Sequence, residues 1–208
     1  MSQPLVAVLD YGIGNLRSAQ KSLQRVGADA RLTADPDLIA RADAVVLPGV
    51  GAFGACMQAL ESTGIAPLAV EAAASGRPFI GICVGMQLLY ERSDESPGVD
   101  GLGILPGTVR LLPGDVKRPQ MQWNRLVVTR PDPLLAGLPD ETWVYFVHSY
   151  AAEMSDDVIA TCDYGGPVVA AVRRGNVWAT QFHPEKSGAH GLRLLRNFVD
   201  LVAVGEAA

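Results

Sequence analysis

Cysteine is scarce in this chain: the 208 residues hold three, Cys56, Cys83 and Cys162. An odd number set far apart shows neither a disulfide framework nor the ligand spacing of a zinc site, and no other cofactor motif is visible. Positive charge is also short, 17 Lys and Arg against 22 Asp and Glu for a formal net charge of -5. That balance argues against nucleic acid or an anionic membrane as the main partner. Long apolar runs are missing. Met1-Ser2-Gln3-Pro4 carries no basic segment and the stretch after it ends at Asp10, so neither a signal peptide nor a membrane span is expected. A reducing cytoplasm suits such a chain and keeps a reactive thiol free. No internal repeat, low-complexity tract or linker interrupts it. Apolar residues make up 49%, which excludes general disorder and fits one α/β domain over residues 1–208, with room for a small antiparallel extension.

What is present is a regular alternation. Leu5-Val6-Ala7-Val8-Leu9 reads as a buried strand, followed by a helix from about Leu16 to Val26 that Gly27 stops. The intervening Gly12-Ile13-Gly14 invites a dinucleotide-binding reading, but Arg17 stands where the third glycine belongs and the motif fails. A short strand at Ala30–Leu32, a short helix at Pro36–Arg41 and a second buried strand at Ala44–Leu47 come next. Helical spacing returns around Cys56–Leu60 and Leu68–Ala74. Strand and helix in turn imply a doubly wound, largely parallel sheet with helices on its faces. After Glu91 the character changes to a polar loop, Ser93 to Gly101, and then strand-like runs separated by turns, at Gly103–Leu105, Thr108–Leu112, Leu126–Val128, Trp143–Val147, Val168–Val172 and Val177–Phe182. No convincing helix divides these runs before the one predicted over about Ala189–Val202, so antiparallel strands are expected to extend the sheet.

The chemistry concentrates in two places. Phe79-Ile80-Gly81-Ile82-Cys83-Val84-Gly85 is a buried strand entering a glycine-bracketed turn with cysteine at its apex. It has the form of a nucleophile elbow, and the helix predicted to follow, through Tyr90 and Glu91, would aim N–H groups at the sulfur. On its own, a structural cysteine in a βα turn reads the same way. The Val84 N–H, next after the cysteine, is a candidate oxyanion donor. Pro48–Gly54, with three glycines after its proline, is either a plain connection or the loop giving the second donor, through Val50 and Gly51. A hundred residues downstream, His183-Pro184-Glu185 follows a strand-like run. Proline keeps His183 extended, which sets His183 and Glu185 on one side, roughly 6–7 Å apart along the chain. Cysteine, histidine and an orienting carboxylate are the set needed for acyl transfer through a thioester.

With those residues in view the chain resembles the class I, triad-type glutamine amidotransferases, and among them the glutaminase subunits of imidazole glycerol phosphate synthases. The resemblance covers essentially the whole length. It rests on Asp10–Leu16, Pro48–Gly51, Gly81–Gln87, Val147–Tyr150 and Gln181–Ser187, with the N-terminal stretch and Met121–Asn124 pointing to this subunit. It implies a flavodoxin-like fold and no cofactor. It also implies hydrolysis of L-glutamine to glutamate and ammonia at Cys83, His183 and Glu185. A glutamine pocket of Gly51, Gln87, Glu95, Ser149 and Tyr150 is implied too, although plain solvent-facing polarity would explain Gln87 and Glu95 as well. The ammonia would pass to a (β/α)8-barrel cyclase, held as a heterodimer through Asn15, Met121, Trp123, Asn124 and Lys186. The cyclase would use it to form imidazole glycerol phosphate and an aminoimidazole carboxamide ribotide in histidine biosynthesis. Gln122 departs from the family, which has glycine before Trp-Asn, so the conformation of this expected loop stands open. His148 is assigned a structural or interface role. Val50 lies between two glycines, so its peptide can turn cheaply, and low activity without the partner is expected. A glutaminase subunit of another pathway, such as pyridoxal phosphate synthesis, shares the triad; a flavodoxin-like binding protein with a structural Cys83 shares the fold.

Overall fold

The computed structural model describes residues 3–205. Its first half runs β1 (Leu5–Leu9), α1 (Leu16–Arg25), β2 (Asp29–Thr33), α2 (Pro36–Arg41), β3 (Ala44–Gly49), α3 (Phe53–Ser62), α4 (Ile65–Ala74), β4 (Phe79–Cys83) and α5 (Val84–Leu88). β3 and β4 are buried along their whole length, as strands covered by helices on both faces must be. α1 turns Ala19 and Leu23 inward and exposes its charged residues. α2 opens with Pro36 behind Asp35, whose carboxylate accepts the Asp37 N–H at 3.0 Å, covering a donor that a helix start leaves free.

The second half is β5 (Tyr90–Ser93), β6 (Leu105–Leu111), β7 (Gln120–Arg125), β8 (Val127–Val128), β9 (Trp143–His148), β10 (Tyr150–Ala152), β11 (Val158–Asp163), β12 (Pro167–Arg174) and β13 (Val177–Thr180). A 3-10 turn at Pro184–Lys186 then leads into α6 (Gly188–Gly205). Eight strands form the central sheet in the order β2-β1-β3-β4-β13-β12-β11-β8. From β2 to β13 neighbours are parallel; from β13 to β8 they are antiparallel. Two smaller sheets, β10-β6-β5 and β7-β9, stand beside it. Leu194, Leu195, Phe198, Val199 and Val202 bury the inner stripe of α6. No helix among the described residues is long and apolar enough to cross a membrane.

Three expectations need correction. The elbow helix does not reach Glu91: α5 stops at Leu88 because the carbonyls of residues 88–91 are taken by backbone N–H groups of Gly101, Leu102, Gly103 and Leu105. That pairing draws Tyr90–Ser93 into a strand. Met121–Asn124 is not a loop but the middle of β7, paired residue for residue with β9. Gln122 sits opposite Phe146 with an ordinary negative φ, so the position makes no demand for glycine. β13 forms the expected hairpin with β12, while its other edge runs parallel to β4. β11 has no counterpart among the predicted strands, whereas Gly103 and Ile104 precede β6 rather than forming one.

Candidate active site

Three adjacent strands bring the reactive groups together. In the β3–β4 ladder Gly49 pairs with Cys83, and in the β13–β4 ladder Thr180 pairs with Ile82. The loop beginning at Val50, the elbow at Cys83 and the segment Gln181–His183 therefore leave the sheet side by side at its C-terminal edge, where parallel α/β sheets hold their ligands. Close backbone approach secures the elbow: a Cβ on Gly85 would run into the Leu47 carbonyl, and one on Gly49 would meet Gly85 N. Cys83 adopts φ 57° and ψ −115°, and among the described residues no other non-glycine has positive φ. Such a conformation costs about 1–3 kcal/mol and is retained where the surroundings impose it.

His183 Nδ1 lies 2.7 Å from Glu185 Oε1, and both side chains are only 1% exposed. Glu185 Oε1 also accepts from Asn15 Nδ2 at 3.0 Å. The His183 backbone is pinned: its N–H donates to the Tyr145 carbonyl, and its carbonyl accepts from the Ser187 hydroxyl. Nε2 is buried without a hydrogen-bond partner among the described residues. No hydrogen bond of ordinary length joins it to the Cys83 sulfur, yet the sulfur is close enough to influence the imidazole. Burial alone would lower the His183 pKa, but Cys83 and then Glu185 outweigh it and push it up to about 9. Resting geometry of this kind commonly tightens when substrate binds. An imidazolium beside the sulfur attracts the negative charge of the attacking nucleophile.

A cavity of about 540 Å³ opens over these groups, within the roughly 300–1,000 Å³ usual for small-molecule sites. Cys83, His183, Val50, Gly51, Val84, Gln87, Glu95, Ser149 and Tyr150 all line it, with Asn15 and Lys186. The proposed glutamine-pocket residues are thus gathered around the sulfur, and Glu185 stands behind His183. Gln87 is 3% exposed, and its Nε2 donates to the Tyr150 carbonyl and to Gln181 Oε1. Glu95 accepts the Phe53 N–H at the start of α3, 2.8 Å away, which holds the carboxylate in place. Neither is a freely solvated surface group. The Val50 carbonyl accepts from Cys56 Sγ at 3.2 Å, and the Pro48 carbonyl from the Tyr11 hydroxyl at 2.6 Å. In a trans peptide the Gly51 N–H points opposite to the Val50 carbonyl, away from Cys56. His148 is buried, with Nδ1 donating to the Tyr150 carbonyl and Nε2 3.0 Å from the Gln120 amide. Burial, offset in part by the Tyr150 hydrogen bond, lowers its pKa to about 4, so it is neutral and braces the pocket wall.

The residues assigned to a partner surface divide. Met121 and Trp123, 63% and 48% exposed, share the outward face of β7–β9 with Val147, Tyr145 and Trp143 by register. Trp123 packs edge-on to Tyr145, and Lys186 Nζ lies 6.0 Å from the Tyr145 ring. Asn124 falls on the other face and donates to the Asp163 carbonyl. Asn15 uses its amide on Glu185. Sequence reasoning missed the Asn15–Glu185 contact, the exposed Trp143 and the buried Gln181. Gln181 had a signal: in an extended segment it shares a side with His183, two residues on.

Residues 7–202 match the family model for glutamine amidotransferase class-I. The imidazole glycerol phosphate synthase subunit HisH of Methanothermobacter thermautotrophicus is 50% identical, over 95% of this chain and 99% of its own length. That of Syntrophotalea carbinolica is 49% identical, over 95% and 100%. The fold is shared with a glutamine amidotransferase crystal structure (TM-score 0.75, 23% identity, 95% of this chain and 98% of that one). It is shared too with a chain of the PurLQS structure from Thermotoga maritima (TM-score 0.74, 20% identity, 96% and 99%). The chain belongs to the class I glutamine amidotransferases, and within them to the HisH subunits of imidazole glycerol phosphate synthase, the glutamine amidotransferase subunits of that histidine-biosynthetic enzyme.

Proposed function

We propose that the chain acts as one amidotransferase domain, residues 1–208, hydrolysing L-glutamine at Cys83. The observation that carries this reading is the meeting of Cys83, the His183–Glu185 pair and a fitted cavity at the ends of β3, β4 and β13. The sulfur attacks the side-chain amide carbon, and N–H groups of Val84 and the Val50–Gly51 loop donate to the oxyanion. His183 Nε2 delivers a proton to the departing nitrogen, and ammonia leaves with the acyl group bound to sulfur. Water activated by the same imidazole then cleaves the thioester to glutamate and restores the thiol. Glu185 orients the ring throughout. The fixed Glu95 carboxylate suits the substrate's ammonium group, while Ser149 and Tyr150 flank the rest of the amino acid.

The outward face of β7–β9 supports docking of a (β/α)8-barrel cyclase as a heterodimer. Met121, Trp123 and Trp143 form an exposed apolar ladder of the residue types that anchor interfaces, and Lys186 connects it to the cavity mouth. Ammonia released there reaches the cyclase without protonation in bulk water. A cytoplasmic setting follows from the need to keep the Cys83 thiol reduced. Glutamate release assayed with and without the cyclase and its ribonucleotide substrate tests this reading. Release that depends on Cys83 and rises with the cyclase is expected; turnover persisting in Cys83→Ala would refute it.

A further inference from the structure

Gln181 is fully buried in the step between β13 and His183, and hydrogen-bond accounting decides which way its amide is turned. The Tyr150 carbonyl belongs to the backbone and can only accept. It is held by two donors, His148 Nδ1 at 2.8 Å and Gln87 Nε2 at 2.9 Å. Gln87 must therefore present its NH2 group there, with its second N–H directed at Gln181, whose Oε1 is 3.0 Å away. Gln181 in turn has its oxygen on Gln87 and its own NH2 group toward the Cys83 sulfur, 4.0 Å distant. Turning over either amide would set like groups face to face in a buried site. The arrangement also leaves Gln87 Oε1 with no donor among the described residues, on a side chain that lines the cavity.

We propose, resting on the glutamine-hydrolysing reading above, that Gln181 is a positioning residue serving both the nucleophile and the substrate pocket. Its Nε2 N–H holds the Cys83 sulfur for attack and stabilises negative charge on it. Its Oε1 locks the Gln87 amide so that the Gln87 oxygen is offered to the substrate's α-ammonium group. The two outputs come from opposite ends of one amide and separate in variants. Gln181→Met keeps the length and apolar bulk without either hydrogen bond. Gln181→Glu keeps an acceptor for Gln87 but, once ionised, has no donor for the sulfur.

Two measurements on the full chain read these outputs. Alkylation of Cys83 by iodoacetamide, followed by peptide mass mapping, reports on the sulfur without glutamine. Steady-state glutaminase assays with the cyclase present report on the pocket. Alkylation should slow about tenfold in Gln181→Met, the size of one lost hydrogen bond to a charged group; in Gln181→Glu it should fall as the buried carboxyl ionises, since the protonated form can still donate to the sulfur. KM for glutamine should rise about tenfold in Gln181→Met and stay near wild type in Gln181→Glu. A merely structural role would lower the melting temperature without this division. Wild-type alkylation in both variants, or a wild-type KM in Gln181→Met, overturns the corresponding output. Should Gln181→Met not fold, Gln181→Glu still decides: its alkylation relative to wild type must fall as the new carboxyl ionises, and a constant ratio across pH sinks the proposal. A wild-type chain that shows the alkylation difference but releases no glutamate would instead refute the glutamine reading.

Discussion

Replacing Glu185 by Gln removes a charge while leaving the shape of the triad intact. Oε1 accepts from both His183 Nδ1 and Asn15 Nδ2, so a glutamine carbonyl can take over both contacts. The new amide nitrogen would occupy the place of Oε2, which is buried without a partner among the described residues. The shift of His183 from 6.5 to about 9 corresponds to about 3 kcal/mol of preference for the imidazolium. Glu185 supplies part of that preference, and exchanging its charged acceptor for a neutral one costs about 1–2 kcal/mol, roughly a five- to thirtyfold loss in kcat with KM for glutamine nearly unchanged. The sign for stability follows from the raised pKa. Stabilisation by the imidazolium is fully present below pH 6.5 and is lost as pH rises through about 9. Glu185→Gln should therefore be less stable than wild type near neutral pH, with the gap closing toward the alkaline end. Initial rates of glutamate release with the cyclase present, and urea melts over the same pH range, measure both effects. A wild-type kcat, or a stability gap that widens above pH 9, would refute the reasoning.

Three further outcomes are expected. Cys83→Ala should abolish covalent labelling by a glutamine-analogue affinity reagent while the chain stays folded, as shown by mass spectrometry and circular dichroism. Gly85→Ala drives a methyl into the Leu47 carbonyl and should cost about 2–3 kcal/mol in a denaturant melt, the range of core overpacking. Trp123→Ala removes an exposed ring packed on Tyr145 and should weaken cyclase binding by about 1–3 kcal/mol in calorimetry, with the loss of coupled activity recovered at high cyclase concentration.

The interval of a hundred residues between Cys83 and His183 shows how far the chain itself carried the reading. Apolar runs bounded by helices must be buried in a parallel sheet covered on its faces, so the first half was written in its periodicity from β1 to β4. The elbow and His-Pro-Glu named their own chemistry, because glycines bracketing a cysteine and a proline fixing a histidine act through local backbone limits. What local pattern could not reach was pairing. Tyr90 follows helical spacing in sequence, yet residues 101–105 capture the carbonyls that would have continued the helix. Met121–Asn124 looks like a loop until β9 supplies its hydrogen bonds. β13 forms a hairpin with β12, as its pattern implied; its parallel register against β4 is what delivers His183 and Gln181 to the sulfur. Asn15 and Glu185 are separated by most of the chain and meet only in the folded molecule. Residue types and local backbone limits thus announced the reaction, while the ladders between distant strands settled which side chains face one another, since those hydrogen bonds exist only once the strands have met.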